Sequence, residues 1–142
     1  MSLTSITIIS PEAANGRNVV ALGVVKTLAT IGRTGVFRPS VCRKDAFTDV
    51  LIGAANAGLN RDQCVGVCPK RAREDKNGSR ADIVAAYTHA VETADPEFMV
   101  IVGTDRSSVN DPAMFAFNAD VAADLQSPVL LAVCTINRTP SQ

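Results

Sequence analysis

The chain has 142 residues, with fourteen basic side chains matched by fourteen acidic ones, so no net field draws it to nucleic acid or to an anionic membrane. Hydrophobic residues make up 46%, with one tyrosine, five phenylalanines and no tryptophan, a mix that suits helices packed closely on a parallel sheet. The length suits one domain with a core of its own, and no apolar run reaches the roughly 18 residues that a bilayer span requires.

The first stretch, Ser5–Ser10, reads as a buried strand through its β-branched run Ile6, Ile8 and Ile9, closed off by Pro11. A helix is expected over 18–31, with Val20, Val24, Leu28 and Ile31 as its inward stripe and Val25 beside them. The loop between them, residues 10–18, occupies the place where a mononucleotide-binding fold keeps its phosphate loop. There, backbone N–H groups and a helix dipole face an anion. A Walker A loop needs G-x-x-x-x-G-K-[ST]. Gly16 holds the second glycine position, but Arg17 stands for the lysine and Asn18 for the hydroxyl residue. The first glycine position falls on Pro11, which has no N–H, and Glu12 sets a carboxylate where phosphates would lie. The loop has the shape of a phosphate cradle and little of its chemistry.

Gly32 to Gly35 turns the chain into a short strand over 35–38, stopped by Pro39. A second helix is expected over 45–57, with Phe47, Val50, Leu51 and Ala54 inward and Gly58 as its stop. Residues 59–69 hold at most a short strand around Cys64–Cys68. The mixed-charge run Lys70–Lys76 reads as a solvated loop. Ser79 is the expected N-cap of a helix over 79–94, its stripe being Ile83, Tyr87, Ala90 and Val91. His89, the single histidine, falls off that stripe and reads as a surface residue. Residues 98–103 form a continuous apolar strand. Asp111 and Pro112 open a helix over 112–125 that turns Met114, Phe117, Val121 and Leu125 inward, and 128–134 is the last strand, central to the core. Residues 1–134 thus make a single α/β domain, and 135–142 a linker or cut end.

The alternation of strands and helices predicts an α/β fold, a parallel sheet covered by helices on both faces. Ligands in such sheets gather at the carboxyl ends of the strands. The polar residues delivered there are Asn15 to Asn18, Arg38 to Asp45, Thr104 to Asn110 and Thr135 to Asn137. Cys42, Cys64, Cys68 and Cys134 lack the paired spacing of a zinc site and read as free thiols, so no metal is expected. The start, MSLTSITII, lacks a basic leader region, and a cytoplasmic protein is expected.

Three stretches carry a family resemblance. They are NGRNVVALGVVKTL after the loop, GVFRPS over Gly35–Ser40, and FNADVAADLQSPVLLAV over 117–133. The last is similar to a pattern Leu-Asn-x-x-Ile-Ala-x-x-Leu-x-x-Pro-Val-x-Leu-Val. With them the chain resembles the N-terminal domain of the long, multidomain phosphate acetyltransferases, a domain itself similar to dethiobiotin synthetase. The resemblance implies a P-loop NTPase-like topology and a site at Asn15, Gly16, Arg17, Asn18 and Arg38, with Asp45 and Asp105 as carboxylates within the same edge.

The departures bear on activity. Where dethiobiotin synthetase ends the strand matching 98–103 in Glu-Gly, with that acid helping to hold Mg²⁺, this chain has Val102-Gly103. Arg17 and Arg38 replace two lysines, keeping charge but not point-charge geometry. Phosphoryl transfer relies on the metal and the clamp. The resemblance therefore implies a non-catalytic regulatory or assembly domain of a phosphate acetyltransferase, whose parent reaction converts acetyl-CoA and phosphate to acetyl phosphate and CoA. Its partner is the acyltransferase catalytic domain of the parent chain, and this stretch is then a cut piece or a truncated paralogue. It uses no cofactor and offers at most a weak site for an oxyanion or small effector; neither nucleic acid nor a membrane is a partner, and a homo-oligomer is compatible. The alternative is a degenerate or stand-alone P-loop ATP-dependent ligase of the dethiobiotin synthetase kind.

Overall fold

The computed structural model describes residues 3–10, 16–104 and 112–133. The elements run β1 (Thr4–Ile9), α1 (Arg17–Ala29), β2 (Thr34–Ser40), α2 (Ala46–Ala54), a 3-10 turn (Asp62–Cys64), β3 (Val65–Val67), α3 (Pro69–Glu74), α4 (Lys76–Ala94), β4 (Phe98–Val102), α5 (Pro112–Asp124) and β5 (Val129–Leu131). All strand pairs are parallel, in the spatial order β3-β2-β4-β1-β5. β4 is the centre, aligned with β1 from Thr4–Phe98 to Ile8–Val102 and with β2 from Thr34–Phe98 to Phe37–Ile101.

The alternation along β4 divides the core in two. Met99 and Ile101 pack with Phe37, Ile83, Tyr87, Phe117 and Val121, under α4 and α5. Val100 and Val102 pack with Ile8, Ala21, Val25, Val36 and Leu51, under α1 and α2. The sheet is therefore covered on both faces, as the alternation of elements predicts, and β4 reads as one unbroken apolar run because both its faces are buried.

Several expectations change. The fully buried residues of α1 are Arg17, Ala21 and Val25; of the expected stripe, Val24 and Leu28 are half-buried against the same core, while Val20 and Ile31 face out. Val20 is 38% exposed and Ile31 67%. Valines lie on every side of this helix, so spacing alone did not pick the buried face; Ala21 did, because it lets the helix lie close on the sheet. In α2, Val50 faces out while Thr48 and Leu51 face in, and the helix ends at the Ala55 cap rather than at Gly58. β2 runs through Pro39 to Ser40. Pro39 lies past the last β4 pair, so its missing N–H interrupts no bond there, while pairing with β3 continues through Ser40–Val67.

The run 70–76 is not a loop. Pro69 takes the first position of α3, where its lacking N–H costs nothing, and Ala72 is the residue it buries. Arg71 pairs with Asp82 at 2.6 Å and Lys70 with Glu74 at 4.0 Å, so the mixed charge is the outer face of a short helix. The N-cap of α4 is Asp75, whose carboxylate accepts from the Gly78 N–H at 3.0 Å. Ser79 is instead buried inside the helix, its hydroxyl donating to the Arg71 carbonyl at 3.1 Å. The last strand is short and lies at the sheet edge, with Val129, Leu130 and Leu131 all exposed, rather than at the centre of the core. The buried stripes of α4 and α5 fall where the spacing puts them, at Ile83, Tyr87 and Ala90 and at Met114, Phe117, Val121 and Leu125. Pro11, Glu12, Asn15, Asp105, Asp111, Cys134 and residues 135–142 lie outside the described residues.

Candidate functional site

From β1 the chain moves through α1 towards β2 and β3; from β4 it moves through α5 the other way, to β5. The carboxyl ends of β1 and β4, adjacent in the sheet, are therefore the switch point where an α/β sheet opens a ligand crevice. Gly16 leads into α1 there, its carbonyl accepting from the Val20 N–H at 3.0 Å.

Arg17 spans this crevice. It is only 3% exposed, and its Nη1 donates to the carbonyl of Gly103, just past β4, at 2.7 Å. Its Nη2 and Nε donate to the Asn18 side-chain oxygen at 2.8 and 3.3 Å. The side chain at the lysine position is thus laid into the scaffold, and it engages the oxygen of the residue standing where the loop hydroxyl belongs. Gly103 leaves a side chain little room: an added Cβ would sit 2.7 Å from Ile9 Cγ2 and 3.0 Å from Asn118 Nδ2. Asn118, on α5, donates its amide to the Thr104 carbonyl at 2.9 Å, so consecutive carbonyls at the end of β4 are each held by a side chain from a different helix.

Arg38 approaches β4 from the other side. Buried at 2%, it donates Nε to the Val102 carbonyl at 3.1 Å, and Nη1 to Asp45 Oδ2 at 2.9 Å and Thr48 Oγ1 at 3.0 Å. Its guanidinium lies 5.7 Å from the centre of the Phe47 ring. Asp45 is also the N-cap of α2, accepting from the Thr48 N–H and hydroxyl, each at 2.9 Å. Burial pushes the Asp45 carboxyl upward, but the Thr48 hydroxyl, the Arg38 charge, the Thr48 N–H and the Arg38 hydrogen bond together hold it below the ordinary carboxylate value.

Of the residues singled out from sequence, the structure brings Gly16, Arg17 and Asn18 to the β1–β4 crevice and Arg38 and Asp45 to the β2 side of the same edge. Asn15 and Asp105 are outside the described residues. Thr48, Gly103 and Asn118 were given no role from sequence. Thr48 carries no signal in the sequence, since the residue that marks a helix start three positions after a cap is Glu or Gln. The other two act through backbone carbonyls, which leave no trace in side-chain spacing.

A magnesium nucleotide needs hard anionic oxygens and mobile cationic donors. Here the Asn18 oxygen receives Arg17, the Asp45 carboxylate receives Arg38 and Thr48, and the strand end offers Val102. No group of three or more His, Cys, Asp or Glu side chains suited to a metal occurs among the described residues. The described residues do not fit a magnesium nucleotide. At the opposite end of β2, away from this crevice, a cavity of about 270 Å³ is lined by Val36, Ile52, Ala57, Leu59 and Cys64 among others. Burial drives the Cys64 thiol up to about 12. No described helix is long and apolar enough to cross a membrane. A family model described as an AAA domain matches residues 4–142.

Proposed function

The chain belongs to the AAA domain family, as a P-loop NTPase-like, dethiobiotin synthetase-like domain, and on that footing we propose that it is a non-catalytic regulatory or assembly domain of a phosphate acetyltransferase. In this reading, conversion of acetyl-CoA and phosphate to acetyl phosphate and CoA belongs to a separate acyltransferase domain. The observation that carries the non-catalytic part is Arg17. The cation that should reach for phosphate lies buried across the crevice, spent on the Gly103 carbonyl and the Asn18 amide. The tie to an acetyltransferase rests on the resemblance of residues 117–133, the stretch that runs from α5 through residues 125–128 into β5.

Titration calorimetry with ATP, with and without Mg²⁺, tests the reading. The positive dipole end of α1 supplies at most a partial anion site. The expected affinity is no better than roughly millimolar, about −4 kcal/mol, with little effect of the metal. The chain alone is also expected not to interconvert acetyl-CoA and acetyl phosphate. Micromolar, Mg²⁺-dependent binding would replace this proposal with that of a stand-alone ligase, Asp45 or Asp105 then holding the metal. Turnover of acetyl-CoA by a preparation free of contaminating enzyme would refute it from the other side.

A further inference from the structure

β3 aligns with β2 only at the far end of that strand, Val65 with Arg38 and Val67 with Ser40. Beside Gly35 and Val36, on the side away from β4, no strand lies. The cavity of about 270 Å³ opens on that flank, lined by β2, the end of α2, the loop that follows it and the 3-10 turn. Val36, Ile52, Ala57, Leu59 and Cys64 supply its apolar wall, and Asn60 is exposed at its rim. An unfilled apolar void costs stability, and a free loop would relax into it. This loop is tethered. The Asn56 side chain accepts from the Thr34 N–H at 2.6 Å and donates to the Ala29 and Gly32 carbonyls at 3.1 and 3.2 Å. Arg33 donates to the Ala57 carbonyl at 3.0 Å and to the Ala94 carbonyl at 2.6 Å. Asn60 and Gln63 each take the other's backbone N–H on a side-chain oxygen, at 3.0 and 2.9 Å. The wall is thus pinned to β2, to the end of α1 and to the end of α4, and it holds the cavity open.

We propose that this cavity is a preformed binding site for a small, uncharged, largely apolar molecule such as a fused aromatic ring. Size sets the first limit. An apolar cavity of about 150 Å³ takes up benzene, so this one, nearly twice as large, admits about ten non-hydrogen atoms. Charge sets the second. No carboxylate, ammonium or guanidinium lines the cavity, and burial keeps the Cys64 thiol protonated at neutral pH. An ionised ligand would leave water here without a counter-charge, at a cost that the apolar wall cannot offset. The neutral Cys64 sulfur is instead a soft, polarisable contact for a ring edge. Asn60 at the rim meets at most one polar group, as in other small-molecule sites where a few polar atoms orient an apolar body. The inference goes beyond the regulatory reading and does not rest on it, since neither Arg17 nor the crevice at β1 takes part.

The test titrates the full chain with indole, and in parallel with indole-3-carboxylate, which adds a negative charge to the same ring. Amide correlation spectra and thermal melts read the result. Indole is expected to shift the Gly35, Gly58, Leu59 and Cys64 amides saturably. At ten times its dissociation constant it should raise Tm by about 3–5 °C. The carboxylate at the same concentration should move neither the amides nor Tm. Ala57→Leu puts a larger side chain into the cavity and should weaken indole binding at least tenfold; if that variant does not fold, the wild-type titrations decide alone. No saturable shift up to the solubility of indole would overturn the inference. So would shifts centred on Arg17 and Arg38 instead, equal binding of the carboxylate, or a folded Ala57→Leu protein that binds indole as the wild type does.

Discussion

Replacing Arg38 with methionine removes the guanidinium while keeping most of the side chain's length and apolar bulk. Three acceptors lose a donor: the Val102 carbonyl, Asp45 Oδ2 and Thr48 Oγ1. Breaking a buried ion pair from one side costs about 3–5 kcal/mol. The Asp45 side chain is 31% exposed, however, and it keeps the Thr48 N–H and hydroxyl, so water and the cap recover part of that loss. The Val102 carbonyl recovers nothing, and an unmet buried acceptor costs about 1–3 kcal/mol. Together these give a loss of about 3 kcal/mol at pH 7, or roughly 10 °C in Tm for a domain of this size. Asp45 has its carboxyl lowered on folding, so its contribution is complete above the unfolded-state value and fades as pH falls through the folded one. The gap between wild type and Arg38→Met should therefore narrow between about pH 5 and pH 3. Urea denaturation at neutral and acid pH measures both quantities. A cost under about 1 kcal/mol at pH 7, or a gap that stays constant down to about pH 3, would refute the role given to this cluster.

Phe117→Ala should cost about 3–5 kcal/mol in chemical denaturation, since its ring is buried between α5 and the sheet, whereas Lys76→Ala on the exposed start of α4 should shift stability by less than about 0.5 kcal/mol. Equal losses would mean that the core is misplaced. Gly103→Ala should destabilise by about 1–3 kcal/mol, because Ile9 and the Asn118 amide must move to admit a methyl group; a neutral thermal melt would show that the end of β4 yields easily. At about pH 8, iodoacetamide should alkylate Cys42 and Cys68 and leave Cys64 untouched, since its thiol is pushed up to about 12 and it is buried. Mass-spectrometric mapping reads this, and rapid labelling of Cys64 in the folded protein would contradict its burial.

The fold was legible where burial on both faces made the pattern unambiguous, as in Phe98–Val102, or where a stripe stood against polar neighbours, as along α4 and α5. It was less legible along α1, where Val19, Val20 and Val24 compete with the residues that face in. The run Lys70–Lys76 hid a helix because six residues with one inward alanine leave no period to detect. Pro128–Cys134 looked central because it is apolar, yet its described part forms an edge strand with both faces in view. At the site, the positions of Arg17, Arg38 and Asp45 could be read, but not what they do there. The carbonyls of Gly103 and Val102 that fix the two arginines lie far along the chain, and only the β1–β4–β2 neighbourhood brings them together.

The strand order also sets a schedule for synthesis. Thr4 aligns with Phe98 and Thr7 with Val129, so β1 finds its partners only after the stretch as far as β4 and β5 has left the ribosome behind it. Until then β2 and β3, with α2 between them, form the one local pair among the described strands, while the apolar residues Ile6, Ile8 and Ile9 wait unpaired. Such late, long-range closure makes folding slow and leaves a sticky edge open for its duration. β4 acts as a latch, since its arrival joins β1 to β2 in one step and covers the face under α1 and α2, while the other face waits for α5. Chains halted short of Phe98 should therefore depend on chaperones.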